Sequence, residues 1–265
     1  MTQYETTEAQ ENGICGKENG GGRGIDGFWL KMLAVVTMLI DHIGAIFFPG
    51  VLWIRAIGRL SFPIYAFLLT EGFHHTRSTD SYLKRLVLFA CISEPFFDLA
   101  FYGELIHPAH QNIFFTLALS LFMLDKCRDE KAYWKNMGWL LGVMITAELL
   151  HVDYGCGGVL VVLLFERLRE RKKLMAAAVS LLFIFLWGGV QSFAALALLP
   201  ILLYNGERGR KIKYVFYTFY PVHLAILWLL KLILDCNPAS IQNDGGCVPY
   251  DAASPVNILF LLFRD

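Results

Sequence analysis

A series of long apolar segments separated by short polar turns constrains the fold of this chain more than any other feature. A helix needs about 20 apolar residues to cross a hydrocarbon core about 30 Å thick. The pattern therefore predicts an all-α, polytopic transmembrane bundle with about nine spans. The predicted spans are residues 28–48, 51–73, 82–103, 111–126, 133–151, 155–166, 174–188, 190–205 and 213–234.

The composition also favours a membrane protein. Of the 265 residues, 56% are hydrophobic and 17% are charged, whereas soluble domains are near half apolar and a quarter charged. The formal net charge is zero, so no basic face points to a nucleic-acid partner. Six cysteines are too few for a disulfide scaffold, and the uninterrupted apolar runs differ from the alternating strands of an outer-membrane barrel.

The distribution of Lys and Arg predicts the orientation. Basic residues recur in alternate loops, and the loops between them lack Lys and Arg altogether, which is the positive-inside pattern. The N-terminus is therefore expected inside the cell and the C-terminus outside. The expected organisation is a disordered cytoplasmic tail (1–27), a transmembrane domain (28–234) and an extracytoplasmic tail (235–265). That last tail holds a short interfacial apolar segment and two cysteines, Cys236 and Cys247, that are either paired or free.

Ionisable residues inside a span are costly, so they usually face the bundle and have a partner. Asp41 and His42 lie deep in the first predicted span, and Arg59 reaches a similar depth in the second. Lys31 and Glu71 both lie near the inner surface. The helical rise therefore predicts two ion pairs, Asp41–Arg59 and Lys31–Glu71, which either lock the helices together or serve a functional site.

The third span carries two carboxylates on one face. Glu94 and Asp98 are four residues apart, so their side chains project from the same side of a helix. Two alternatives remain open for them: a functional role, or ion pairs with Arg55 or Arg59.

Two further ionisable residues lie in later spans. Glu148 is close to the end of the fifth span, and His223 is near the middle of the ninth, at the expected depth of His42. A lone histidine on an apolar face is often a hydrogen-bonded core residue, and the shared depth makes a functional role an equal alternative.

At these positions the sequence resembles the TraX family. The resemblance rests on residues 30–44 (LKMLAVVTMLIDHIG) and 55–76 (RAIGRLSFPIYAFLLTEGFHHT), and it covers nearly all of residues 28–230. It implies N-terminal acetylation of a conjugative pilin subunit at the inner membrane. Shorter matches lie at residues 82–86, 112–117, 153–155 and 220–224.

The spacing of Lys31 and His42 is also similar to the Arg-x10-His signature of the membrane acyltransferase type 3 group. That similarity implies a basic residue at the acyl-CoA end and a histidine at the transfer point. Lys in place of Arg keeps the charge but loses the bidentate fork. The implied donor is acetyl-CoA, with no metal, and the implied acceptor is a peptide N-terminus, a glycan hydroxyl or a lipid.

These residues predict a division of roles. His42 is the candidate general base, and Arg59 or Tyr220 is the candidate oxyanion donor. The group that orients His42 is expected from Glu94, Glu148 or His223, and Asp41 is expected to pair with Arg59. The cofactor-binding set expected at the inner face is Lys31, Lys84, Arg85 and Glu71.

Two other functions are compatible with the same residues. The intramembrane ionisable groups suit a proton-coupled transporter or flippase, although no inverted repeat is visible. A non-catalytic assembly factor would use the charges only to hold helices together. The relay expected of a transporter would comprise Asp41, His42, Glu94, Glu148 and His223.

Overall fold

The structure, a computed structural model, describes residues 24–129, 131–210 and 213–235. These residues fold into helices, with two isolated β-bridges and no strand among them. The prediction of an all-α fold is confirmed. The helices are α1 Gly27–Phe47, α2 Leu52–Gly58, α3 Ser61–His75, α4 Thr79–Phe101, α5 Ile113–Lys126, α6 Tyr133–Leu149, α7 Gly155–Arg167, α8 Lys172–Leu186, a 3-10 helix Gly189–Ala197, α9 Leu198–Leu202 and α10 Lys213–Asp235.

The helix bounds fall within a few residues of the predicted segments, with two subdivisions. The segment 51–73 forms both α2 and α3, which meet at Arg59 and Leu60, and the segment 190–205 begins as the 3-10 helix. Among the described residues, three stretches are long and apolar enough to cross a membrane by themselves: Gly27–Phe47, Leu52–His75 and Tyr214–Leu234.

The helix surfaces expose large apolar side chains in rows. On α6, Leu141, Ile145 and Leu149 are exposed, and on α8 so are Leu181 and Phe185. Their spacing of four residues puts each set on one face of its helix. Apolar surface of this extent is rare on soluble monomers and is what lipid accommodates.

The loops gather at two ends of the bundle. At one end, the backbone of Ile25 bonds to Leu203 and Asn205, at 2.9 and 3.0 Å. At the other end, the backbone of Gln111 bonds to His151 and Asp153, each at 3.0 Å. The first end contains loops that carry Lys and Arg, and the second contains loops that lack them.

The first helices pack unusually closely. Asp26 starts α1, because its carboxylate accepts a hydrogen bond from the Trp29 N–H at 2.9 Å. Gly58, at the end of α2, lies against α1 so tightly that an added Cβ would come within 2.6 Å of the Asp41 Cα atom. Only glycine allows this approach, which brings Arg59 beside Asp41.

Several predictions concern residues that the structure does not describe. The tail at 1–27 is described only from Gly24, where Asp26 caps α1. The tail at 235–265, with Cys236, Cys247 and the apolar segment at 256–263, falls outside the described residues apart from Asp235 at the end of α10.

Candidate active site

Two buried imidazoles from distant parts of the chain meet inside the bundle. His42 on α1 and His223 on α10 approach with 2.7 Å between Nδ1 of His42 and Nε2 of His223. The side chains are 9% and 4% exposed, respectively. The expectation that His42 and His223 share a depth is therefore confirmed, and the two helices are adjacent at this level.

The hydrogen-bond partners assign the protons of this histidine pair. Nδ1 of His223 lies 2.8 Å from the carbonyl oxygen of Phe219, which can only accept, so this nitrogen donates. In neutral His223 the other nitrogen, Nε2, is then an acceptor, and Nδ1 of His42 donates to it. The proton-free nitrogen of His42 is therefore Nε2, which has the lone pair that a general base needs.

Aromatic rings surround the histidine pair and exclude water from it. Phe101 and Tyr220 pack edge-on against the His42 ring, with centroid distances of 5.4 and 5.8 Å. Phe219 stacks on His223 at 4.7 Å. A low-dielectric shell of this kind strengthens the hydrogen bonds inside it.

Asp41 points away from His42 and binds arginine, as predicted. Its two carboxylate oxygens lie 2.9 and 3.1 Å from one Nη of Arg59. Arg55 also contacts it, with 3.5 Å between Nε and Oδ1. One carboxylate thus serves two guanidinium groups beside the histidine pair.

Glu94 and Asp98 do not pair with either arginine, so that alternative is wrong. Glu94 accepts hydrogen bonds from the backbone N–H of Asn112, at 3.0 Å, and from the Asn112 side-chain amide. Asp98 accepts from the backbone N–H of His107 at 2.8 Å. The reason is the turn after α4, which folds back and presents its N–H groups to both carboxylates.

Glu148 does not contact the histidine pair either. It accepts a hydrogen bond from the backbone N–H of Cys156 at 2.7 Å and so caps α7. Of the three candidates for orienting His42, the one in contact with it is His223. Within the described part of the chain, the five residues of the expected proton relay do not form one connected chain.

The predicted Lys31–Glu71 ion pair is wrong. Glu71 binds Arg169, with 3.0 Å between Oε1 and Nε. The break between α2 and α3 resets the rotation of the second helix, so Glu71 faces the turn after α7 rather than α1. Lys31 instead lies over the ring of Phe216 on α10, at 5.8 Å from the ring centroid.

Lys31 and Arg85 flank the same turn of α10. Arg85 lies 5.5 Å from the centroid of the Tyr82 ring and contacts the hydroxyl of Tyr217, the residue after Phe216. Lys84 is exposed on the neighbouring face of α4. Two of the three predicted cations therefore meet on α10, while Glu71 lies apart from them.

Sequence reasoning missed the residues that complete these contacts. Phe216 and Tyr217 precede His223 by seven and six positions on the same helix, a spacing that could have linked them to it. Arg169 lies in a basic loop, where the charge pattern predicts orientation and attraction of an anionic cofactor but no individual ion pair. The Phe219 carbonyl that sets the tautomer of His223 leaves no mark in a sequence.

Two clefts, of about 280 and 230 Å³, lie near the basic end of the bundle. The first lies between α5, α6 and α7 and the second between α3, α5 and α7, and they share Cys127, Leu163 and Arg167. Neither of these two clefts is lined by a residue that contacts His42 or His223.

Comparison with known proteins identifies similar sequences and a matching family model. The chain is 31% identical over 239 residues to the "Probable fimbrial assembly protein FimC, serogroup H1" of Dichelobacter nodosus, covering 78% of this chain and 96% of that protein. It is 25% identical over 218 residues to "Protein TraX" of Escherichia coli K12, covering 77% and 86%. No solved structure matches. The family model described as TraX protein matches residues 27–231, and the chain belongs to the TraX family.

Proposed function

We propose that this protein is an integral membrane acyltransferase that moves an acetyl group from acetyl-CoA to an amine or hydroxyl acceptor. The observation that carries the proposal is the hydrogen-bonded chain from the Phe219 carbonyl through His223 to His42. It leaves Nε2 of His42 as a proton-free nitrogen in a water-excluded site, which is the state a general base requires.

The histidine pair supplies the proton transfers of the reaction. Nε2 of His42 takes the proton of the acceptor amine as its nitrogen attacks the thioester carbon. The carbon–nitrogen bond forms, the carbon–sulfur bond breaks, and the imidazolium returns the proton to the leaving thiolate. His223 holds the His42 ring in the productive tautomer throughout.

Two neighbouring groups have supporting roles. The Tyr220 ring lies against both imidazoles, at 5.8 Å from His42 and 5.5 Å from His223, so its hydroxyl is one candidate oxyanion donor. Arg59 is the other, held in place by its bonds to Asp41. A fixed donor contributes most where water is excluded.

The inner-face cations account for donor binding. Lys31 precedes His42 by eleven residues, which is about 16 Å along a helix. Arg85 lies on the other side of the same turn of α10. In this arrangement the phosphates of acetyl-CoA bind Lys31 and Arg85, with Lys84 nearby, and the extended pantetheine arm reaches His42.

The proposed topology has nine crossings of the cytoplasmic membrane, with the N-terminus inside. The grouping of the basic loops at one end of the bundle supports this orientation because cytoplasmic loops carry an excess of Lys and Arg. The acceptor is proposed to be the N-terminus of a fimbrial or pilin-like subunit, or a cell-surface glycan. The printed name of the D. nodosus relative supports the first of these.

The test is thiol release from acetyl-CoA by the purified protein in detergent, with a free-amine peptide as acceptor. Wild type is compared with His42→Ala and with the matched control His75→Ala. His75 is exposed, and its hydrogen bond within the described residues is to the Glu71 carbonyl of its own helix. We expect turnover to fall at least 100-fold in His42→Ala and to persist in His75→Ala. Equal turnover in wild type and His42→Ala would refute the mechanism.

A non-catalytic role in fimbrial assembly is the second candidate, favoured by the name of the D. nodosus relative. It predicts that His42→Gln supports assembly as well as wild type does, provided that the protein folds. An acyltransferase role predicts loss of the acetylated product in the same variant. A proton-coupled transporter, by contrast, would need a proton gradient, which thiol release in detergent does not.

A further inference from the structure

Two guanidinium groups share a single carboxylate next to the histidine pair. Arg59 makes two short contacts to Asp41, at 2.9 and 3.1 Å. Arg55 makes a longer one at 3.5 Å, and its side chain is 24% exposed. A half-buried cation that shares its counter-ion is poorly compensated because desolvation is costly for each charge.

The neighbouring acidic residue does not supply the missing partner. The nearest ion-pair contact of Asp153 within the described residues is with His110, at 3.7 Å from Nε2. Burial raises the pKa of the Asp153 carboxyl, which disfavours its charged form. Arg55 and Arg59 interact with this carboxylate through longer-range electrostatics and not through an ion-pair contact.

A weakly satisfied donor lies in the same region. The side-chain amide nitrogen of Gln191 is buried and makes no hydrogen bond of normal geometry within the described residues. It makes a weaker contact with the Tyr154 hydroxyl, and Tyr154 in turn bonds Arg59. A buried donor without a full hydrogen bond costs free energy that a ligand can recover.

We infer that Arg55 and Gln191 form a subsite for a carboxylate of the acyl acceptor, beside His42 and facing the end of the bundle that lacks Lys and Arg in its loops. This inference rests on the proposed function. It predicts that the acceptor is an acidic peptide whose carboxylate lies near the reacting amine. Arg55 contacts Asp41, the residue before His42, so the carboxylate and the reacting amine belong to one short segment of the acceptor.

A carboxylate fits this subsite better than a phosphodiester does. A carboxylate is planar, and an arginine fork can bind it through two oxygens. Asp41 binds Arg59 differently, with both carboxylate oxygens on one Nη. The limited exposure of Arg55 favours this small group over a tetrahedral phosphate bearing two ester substituents.

The test compares two amidated tripeptides, Gly-Glu-Gly and Gly-Gln-Gly, which differ only in the charge of one side chain. Binding to the full-length protein in detergent is measured by calorimetry without acetyl-CoA, and transfer is measured separately. The variants are Arg55→Gln, Arg55→Lys and the control Arg77→Gln, which removes an exposed cation from the opposite end. Melting temperatures identify any variant that fails to fold.

We expect wild type and Arg77→Gln to bind the Glu peptide about tenfold more tightly than the Gln peptide, as one charge-assisted hydrogen bond provides. The preference should vanish in Arg55→Gln and persist in part in Arg55→Lys. Equal binding of the two peptides by wild type would overturn the inference, as would an undiminished preference in folded Arg55→Gln. If glycerophosphoglycerol displaces the Glu peptide more strongly than acetate does, the subsite binds a phosphodiester, and the carboxylate assignment is overturned.

The two proposals fail separately. A preference for the Glu peptide without any acetyl transfer supports the subsite and contradicts the acyltransferase. Transfer to both peptides with equal affinity supports the enzyme and contradicts the subsite.

Discussion

The close approach of α1 and α2 at Gly58 makes a quantitative prediction. In Gly58→Ala the new Cβ would lie 2.6 Å from the Asp41 Cα atom, whereas 3.4 Å begins ordinary contact. The helices must therefore separate by at least about 0.8 Å, the difference of these two distances, because a backbone atom cannot rotate away. Overpacking of this kind costs about 1–3 kcal/mol.

The assay is thermal unfolding of the purified protein followed by circular dichroism. The matched control is Gly142→Ala in the middle of α6, where an added Cβ meets nothing within 4 Å. We expect Gly58→Ala to melt several degrees lower, at roughly 2–4 °C for each kcal/mol. Gly142→Ala should melt at the wild-type temperature or slightly higher, since alanine favours a helix.

Acetyl transfer gives a second readout of the same substitution. Separation of the helices moves Asp41 and the adjacent His42 relative to α10. A shift near 1 Å can cost about 100-fold in rate, so the loss of activity should exceed the loss of stability. If Gly58→Ala melts with wild type, or if Gly142→Ala loses as much stability, the packing argument is refuted.

Three further predictions concern separate contacts. His223→Ala should lower kcat for acetyl transfer by roughly 100-fold with an unchanged KM for acetyl-CoA, and His223→Gln, which restores an acceptor oxygen, should retain more activity. Asp153→Asn should raise the melting temperature at pH 7, and this gain should shrink as the pH falls toward 4. A double-mutant cycle between Glu71 and Arg169 should give a coupling of about 0.5–1 kcal/mol, whereas a cycle between Glu71 and Lys31 should give none.

The sign of the Asp153 effect follows from its environment. Burial raises the pKa of the Asp153 carboxyl in the folded state. The contribution of Asp153 to folding stability is therefore fully present below its unfolded-state pKa and is lost as the pH rises through its folded-state pKa. The Asp153→Asn variant has no carboxyl to ionise and so avoids this loss. A variant that is less stable than wild type at pH 7 would contradict this reasoning.

The other two predictions have equally direct counter-results. An unchanged kcat in His223→Ala would show that the imidazole contact is only structural. For the ion pair, a coupling energy between Glu71 and Lys31 equal to that between Glu71 and Arg169 would support the Lys31–Glu71 pair predicted from the sequence.

Depth within a helix could be predicted from the sequence, but helix rotation could not. The rise of 1.5 Å per residue correctly placed Arg59 at the level of Asp41. The same reasoning failed for Lys31 and Glu71 because it assumed one straight helix over 51–73. The break at Arg59 and Leu60 turns the second half toward α7.

In the candidate site, too, the depth of residues could be predicted from the sequence but their contacts could not. The sequence predicted that His42 and His223 share a depth, since both follow from span boundaries. Their contact depends on α10 packing against α1, which no local pattern specifies. The Glu94 contacts were missed because they are made to the backbone of the returning turn, and backbone groups are present at every residue.

The link between His42 and His223 also has a consequence for how the protein is made. The two residues are 181 positions apart, and chains are synthesised at about 5–20 residues per second. His42 therefore waits roughly 10–40 s after its own synthesis before its partner has been translated. During that interval the nascent chain holds an unpaired imidazole in α1, and its competence for proton transfer arises only when α10 docks.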